Sequence, residues 1–104
     1  MDQFRAFFQL RSILLEMEQD LGLDKLAQSE IDIFLAARSL TENEGDVVAS
    51  DQIRNHSLTK SIAQATYHRS LRSLLEKGMI KKAAGSKSKS YVVNMNPEIV
   101  LKNA

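Results

Sequence analysis

The sequence predicts a mainly α domain of the α+β class, and three observations predict it. Between Ser61 and Gly78 apolar residues recur at three- and four-residue spacing, the signature of a helix with one buried side. After Gly78 the period changes to two on either side of a Gly/Ser/Lys turn, the pattern of a β-hairpin. Ahead of both, residues 2–20 carry enough apolar side chains to read as a long helix. At 104 residues, 43% hydrophobic and 26% charged, the chain can bury one modest core.

The first helix is expected over residues 2–20, with Phe4, Phe7, Phe8, Leu10, Ile13, Leu14, Leu15, Met17 and Leu21 apolar. These positions cover more of the circumference than one partner surface needs. A second subunit is therefore expected against Phe4, Phe7, Leu14 and Met17. The alternative is that Phe7, Phe8 and Leu15 pack inward and the others are ordinary exposed apolar surface. Gly22 and residues 23–28 form a connection. Ser29, with Asp32 three residues later, reads as the N-cap of a second helix carrying Ile31, Phe34, Leu35, Ala37, Arg38 and Leu40. Residues 41–46 are a polar, acidic loop, and Val47-Val48 supply a short strand. Ser50 caps a helix from Asp51 to about His56, with Leu58 as the apolar plug of the following turn. Arg54 on that helix is either a phosphate contact or a solvated surface arginine.

Ser61 and Gln64 have the spacing of a capping box, which starts the next helix at Ser61. Ala63, Tyr67, Ser70, Leu71 and Leu74 face inward. A rotation of about 100° per residue turns Ala65, Arg69, Arg72 and Glu76 to the opposite side, with Thr66 and His68 on the flanks. Gly78 stops the helix as a C′ residue able to take positive φ. Residues 79–83 and 90–93 are the hairpin strands, and the intervening turn carries Lys87 and Lys89. A helix with a basic outer face followed by a basic hairpin has the layout of a recognition helix and its wing. Asn96-Pro97-Glu98 then opens a short helix with an N-cap, Pro at N1 and an acid in the first turn. Being marginal alone, it is expected to dock Ile99, Val100 and Leu101 on the first helix or on a partner subunit, Leu101 counting among the dimer contacts.

Charge separates the chain into unlike halves. Residues 1–46 hold four basic and ten acidic side chains, net −6, and residues 47–104 hold ten basic and three acidic, net +7. A polyanion partner for the basic half is the expectation. The absence of cysteine removes disulfides, thiol chemistry and Cys-ligated zinc. His56 and His68 have no acids at ligand spacing, so neither metal nor cofactor is expected. No Ser/His/Asp, Cys/His, paired-carboxylate or phosphate-loop arrangement is present, and the chain does not read as an enzyme. With no signal-peptide pattern and no apolar run near the roughly 20 residues that span a bilayer, the expectation is a cytoplasmic protein with no membrane partner.

The residues Thr66-Tyr67-His68-Arg69, the run from Leu71 through Glu76-Lys77-Gly78-Met79-Ile80, and the Lys-rich turn before Tyr91-Val92-Val93 carry a resemblance. On them the segment from Ser50 to Val93 resembles the winged helix-turn-helix domains of bacterial transcriptional regulators, most nearly the MarR-like group. It departs from the group at residues 51–56, which lack the usual Leu-Ala pair and Gly-Val turn. The resemblance implies a two- or three-stranded β-wing and a division into a dimerisation helix (1–28), a DNA-binding domain (29–95) and a short C-terminal helix (96–104). It implies a dimeric transcriptional regulator that binds double-stranded DNA, with its recognition helix in the major groove. The candidate DNA contacts are Arg54, Lys60, Ser61, Thr66, His68, Arg69 and Arg72, with Lys81, Lys82, Lys87 and Lys89 on the wing. The group's effector pockets find no matching residues here, so no small-molecule effector is named. The other reading is a winged-helix module whose basic face meets an acidic protein.

Overall fold

In a computed structural model the described residues are 2–85 and 89–102. Five helices and three short strands follow one another as α1 (Gln3–Leu21), α2 (Gln28–Ser39), β1 (Val47–Ala49), α3 (Ser50–Arg54), α4 (Gln64–Glu76), β2 (Ile80–Lys82), β3 (Ser90–Val93) and α5 (Pro97–Lys102), with a single 3₁₀ turn at Leu23–Lys25. The architecture is mainly helical with one small antiparallel sheet. The predicted Val47-Val48 strand is β1, which joins the hairpin in the order β1-β3-β2. Val47 stands opposite Val92 and Val48 opposite Tyr91, while Ile80 faces Val93 and Lys82 faces Tyr91 from the other side.

The core lies between α2, α4 and the sheet. Ile33, Ala36 and Ala37 of α2, Ile53 of α3, Tyr67, Leu71 and Leu74 of α4, Met79, and Val48, Tyr91 and Val93 of the sheet form one buried cluster. The inward face of α4 is thus the predicted one from Tyr67 through Ser70, Leu71 and Leu74. Its end is a Schellman motif, in which Gly78 takes φ 76° and Met79 N–H donates to Leu74 O at 3.0 Å. Two polar ties add direction to this packing. Ser29 and Ser70 bring their hydroxyl oxygens within 2.7 Å between α2 and α4, and Lys77 Nζ donates to Glu30 Oε2 at 2.9 Å.

The helix starts differ from the sequence reading, and for one common reason. Neither Ser29, Ser50 nor Ser61 is an N-cap; Ala27, Ala49 and Ala63 are. At the first two, the residue three places on closes half of a capping box: Ala27 N–H donates to Glu30 Oε1 and Ala49 N–H to Gln52 Oε1, each at 2.9 Å. Alanine has no oxygen to complete the other half. The serine hydroxyls are instead used between elements, Ser29 on Ser70 and Ser50 on Tyr67. Helix α4 starts at Gln64, two residues later than the Ser61 box requires, and Ala63 is exposed.

Helix α1 has the predicted ends. Asp2 Oδ1 accepts from Phe4 N–H at 3.0 Å, and Gly22 closes the C-terminus at φ 81°. No residue of α1 is buried, so even the inward trio of Phe7, Phe8 and Leu15 stands in solvent. The helix rests on the 3₁₀ turn and on α5. There Leu101 is 2% exposed, its Cβ 3.1 Å from where a Cβ on Gly22 would lie, and its carbonyl accepts from Lys25 Nζ at 2.6 Å. Leu101 is therefore spent inside the chain and is not a dimer contact. Of the expected dimer residues, Phe4, Phe7, Leu14 and Met17 remain free. No described helix is long and apolar enough to cross a membrane.

Candidate functional site

The site is built on Tyr67, which is 1% exposed yet lies in the first turn and a half of α4. Its phenol oxygen is 3.1 Å from Ser50 Oγ, which ties the start of α4 to the start of α3. Burial pushes the Tyr67 phenol above its ordinary pKa, against a smaller opposing pull from the Ser50 hydrogen bond and the Arg54 charge. The ring therefore acts as a neutral prop. Arg54 lies over it, 4.8 Å from the ring centroid, and donates to Thr59 O at 2.7 Å and Ile62 O at 2.5 Å.

The segment 55–63 between α3 and α4 is closed from within. Thr59 is fully buried and its hydroxyl donates to Ile53 O, so a threonine is the plug here; Leu58, expected in that role, is 43% exposed. A hydroxyl can fill this place because it is satisfied there, adding a second donor to the Ile53 carbonyl that His56 N–H already reaches at 3.2 Å. His56 links the turn to α2: Nδ1 accepts from Leu58 N–H at 3.1 Å and Nε2 is 3.0 Å from Ser39 Oγ. Since Ser39 donates its own proton to Ala36 O at 2.7 Å, its oxygen is left to accept from Nε2.

This scaffold sets α4 with its basic side outward. Arg69 and Arg72 are exposed, Arg69 Nη2 reaching back 3.4 Å to Thr66 Oγ1, and His68 is exposed with its ring edge-on to Tyr67 at 5.4 Å. Beside them opens a cleft of about 690 Å³ between the first turns of α3 and α4 and the start of β3, lined by Ser50, Asp51, Arg54, Gln64, His68 and Lys89. Lys89 is drawn there by its backbone, since Ser50 N–H donates to Lys89 O at 2.9 Å. No side chain caps α4, whose first N–H groups lie at the edge of this cleft.

His68 and Lys89 are therefore brought together at the cleft, while Thr66, Arg69 and Arg72 share α4 outside its lining. Lys60 and Ser61 are exposed in the turn just ahead of α4. Lys81 and Lys82 are exposed on β2, but the strand alternation puts Lys81 on the side of Val47 and Val92, and Lys82 on the side of Val48 and Tyr91. One surface cannot receive both in the same way. Lys87 lies outside the described residues. Arg54, partly buried with two carbonyls on its guanidinium, braces the turn from within the cleft lining. Three of these cleft residues lie outside the sequence candidates: Ser50 and Gln64 read as cap residues, and Asp51, the acid of the cleft, carries no motif. With the N-cap at Ala63, Gln64 is the first residue of α4 and stands exposed at the cleft. No known protein family, curated protein or solved structure matches the chain.

Proposed function

We propose that the chain is a winged helix-turn-helix protein of MarR-like type that binds duplex DNA in the cytoplasm as a transcriptional regulator. Helix α4 is the recognition helix in the major groove, the groove whose edge pattern distinguishes all four base pairs. The β2–β3 hairpin is the wing. The observation that carries this reading is the outer side of α4: Arg69 and Arg72 stand exposed opposite a fully packed Tyr67, Leu71 and Leu74. Arginine at such a position can pair with guanine O6 and N7 together. The cleft with its uncapped N–H groups and Lys89 suits a backbone phosphate beside the bases. The excess of positive charge after residue 46 supplies the attraction for the duplex.

Selection from random duplexes with the purified protein tests the reading. The expected result is enrichment of a defined motif, with log affinity falling linearly in log salt. Recovery of no motif together with no salt-dependent duplex binding overturns it. Binding to an acidic protein that duplex DNA fails to compete assigns the same face to a protein partner instead.

A further inference from the structure

Helix α1 exposes apolar surface that nothing in the described chain covers: Phe4 is 86% exposed, Phe7 64% and Leu14 54%. Two charges interrupt the apolar arc. Arg11 and Glu18 are seven residues apart, so they project within about 20° of each other and about 10.5 Å apart along the helix axis. At that separation they cannot pair with each other, and among the described residues neither has an ion-pair partner. With Phe8, Leu14 and Leu15 they line a groove of about 360 Å³ on α1 whose far wall is Gln28. Their placement is symmetric. Arg11 and Glu18 lie equally far from the midpoint between Leu14 and Leu15, as do Phe8 and Leu21.

We propose that this groove seats α1 of a second copy of the chain, running antiparallel about a two-fold axis between Leu14 and Leu15. In that arrangement each Arg11 meets Glu18 of the other copy, so one pairing occurs twice, as a two-fold interface requires. Leu14 and Leu15 cover their counterparts at the axis. A parallel pair would set Arg11 against Arg11 and Glu18 against Glu18, two like-charge contacts inside an apolar seam. The charge pattern thus selects both the occupant and its direction. This inference is independent of the DNA-binding reading, because it uses no residue of the α4 face.

The cysteine-free sequence makes the test clean. Sedimentation equilibrium of the intact chain at tens of micromolar is expected to give a dimer. Under mild oxidation, Leu14→Cys is expected to form a disulfide-linked dimer. Phe7→Cys is not, since its two copies would lie roughly 22 Å apart along the axis. Arg11→Glu is expected to weaken dimerisation at least tenfold, and the double exchange Arg11→Glu/Glu18→Arg to restore it, with circular dichroism verifying that each variant keeps its helices. A monomer at these concentrations overturns the proposal, and so does a monomer that instead binds phospholipid vesicles. Self-cross-linking of Phe7→Cys as fast as Leu14→Cys, or a double exchange that fails to restore the dimer, overturns the antiparallel direction.

Discussion

Arg54 holds its guanidinium 4.8 Å from the centroid of the Tyr67 ring while donating to the carbonyls of Thr59 and Ile62. One side chain therefore fixes the turn between α3 and α4 and presses on the residue that anchors α4. Its loss is expected to be felt as stability. Arg54→Ala should cost roughly 1–3 kcal/mol, the range for hydrogen bonds from a charged donor together with a ring contact. Urea denaturation measures it. If duplex affinity falls while the unfolding midpoint stays at the wild-type value, Arg54 faces phosphate and the strut assignment is wrong.

The phase of α4 is open to a simple test. Leu74 is fully buried among residues of α2 and the sheet. Leu74→Ala is expected to cost on the order of 2–5 kcal/mol, from lost burial and the cavity left behind. Melting within a degree or two of wild type would mean that the inward face, and with it the outward placement of Arg69 and Arg72, has been misassigned.

Glu30 gives the fold a defined pH response. Burial raises the pKa of its carboxyl, but the Ser73 hydroxyl, the Ala27 N–H and the Lys77 ammonium together outweigh that, and the net direction is downward from 4.5. A carboxylate with a folded pKa below its unfolded one binds fewer protons when folded. Its contribution is therefore complete above about pH 4.5 and is lost as pH falls through the lower folded value. Glu30→Gln, which keeps an oxygen for Ala27 but not the charge, should be less stable than wild type by about 1 kcal/mol at pH 7, since Lys77 is partly solvated. Melting curves from pH 7 to pH 3 should show that gap closing; a constant gap would mean that the charge of Glu30 contributes nothing.

Reading bases and holding the backbone are separable on the proposed DNA face. Arg69→Ala is expected to cost roughly 1–3 kcal/mol on the preferred duplex and to flatten discrimination at one base step, with little change on random DNA. Lys89→Ala should weaken both duplexes alike and make the slope of log affinity against log salt shallower by about 0.9. Titration of both variants against both duplexes at several salt concentrations distinguishes the roles. An Arg69→Ala protein with its sequence preference intact would move base reading to Thr66, His68 or Arg72.

What the sequence made legible was what local chemistry decides. Asp2 and Gly22 bound α1, Gly78 ends α4, and the buried side of α4 follows from Tyr67, Leu71 and Leu74, all as spacing alone indicated. The short strand at Val47-Val48 was likewise visible, though its place beside β3 was not. The hydroxyls were not. Ser29, Ser50 and Ser61 each precede an apolar run at cap spacing, but a hydroxyl goes to whichever partner the folded chain brings nearest, and Ser70 and Tyr67 are distant in sequence. The same holds for Thr59 displacing Leu58, for Arg54 turning inward and for Leu101 docking within the chain. Each depends on a carbonyl or a surface that exists only once other elements have packed. At the site, the outward arginines came from periodicity, whereas the cleft with Gln64 and Lys89 came from a backbone bond between Ser50 and Lys89.

The seat of Leu101 on Gly22 has a mechanical meaning. Gly22 holds φ 81°, an angle that side chains rarely adopt, and a Cβ there would press on Leu101. At this pivot a six-residue helix, too short to persist unaided, decides where a nineteen-residue one points. While α5 stays down, α1 keeps one bearing and carries its apolar side at a fixed reach from α4. Loss of α5 would take away one of the two supports of α1 and leave the 3₁₀ turn as the other.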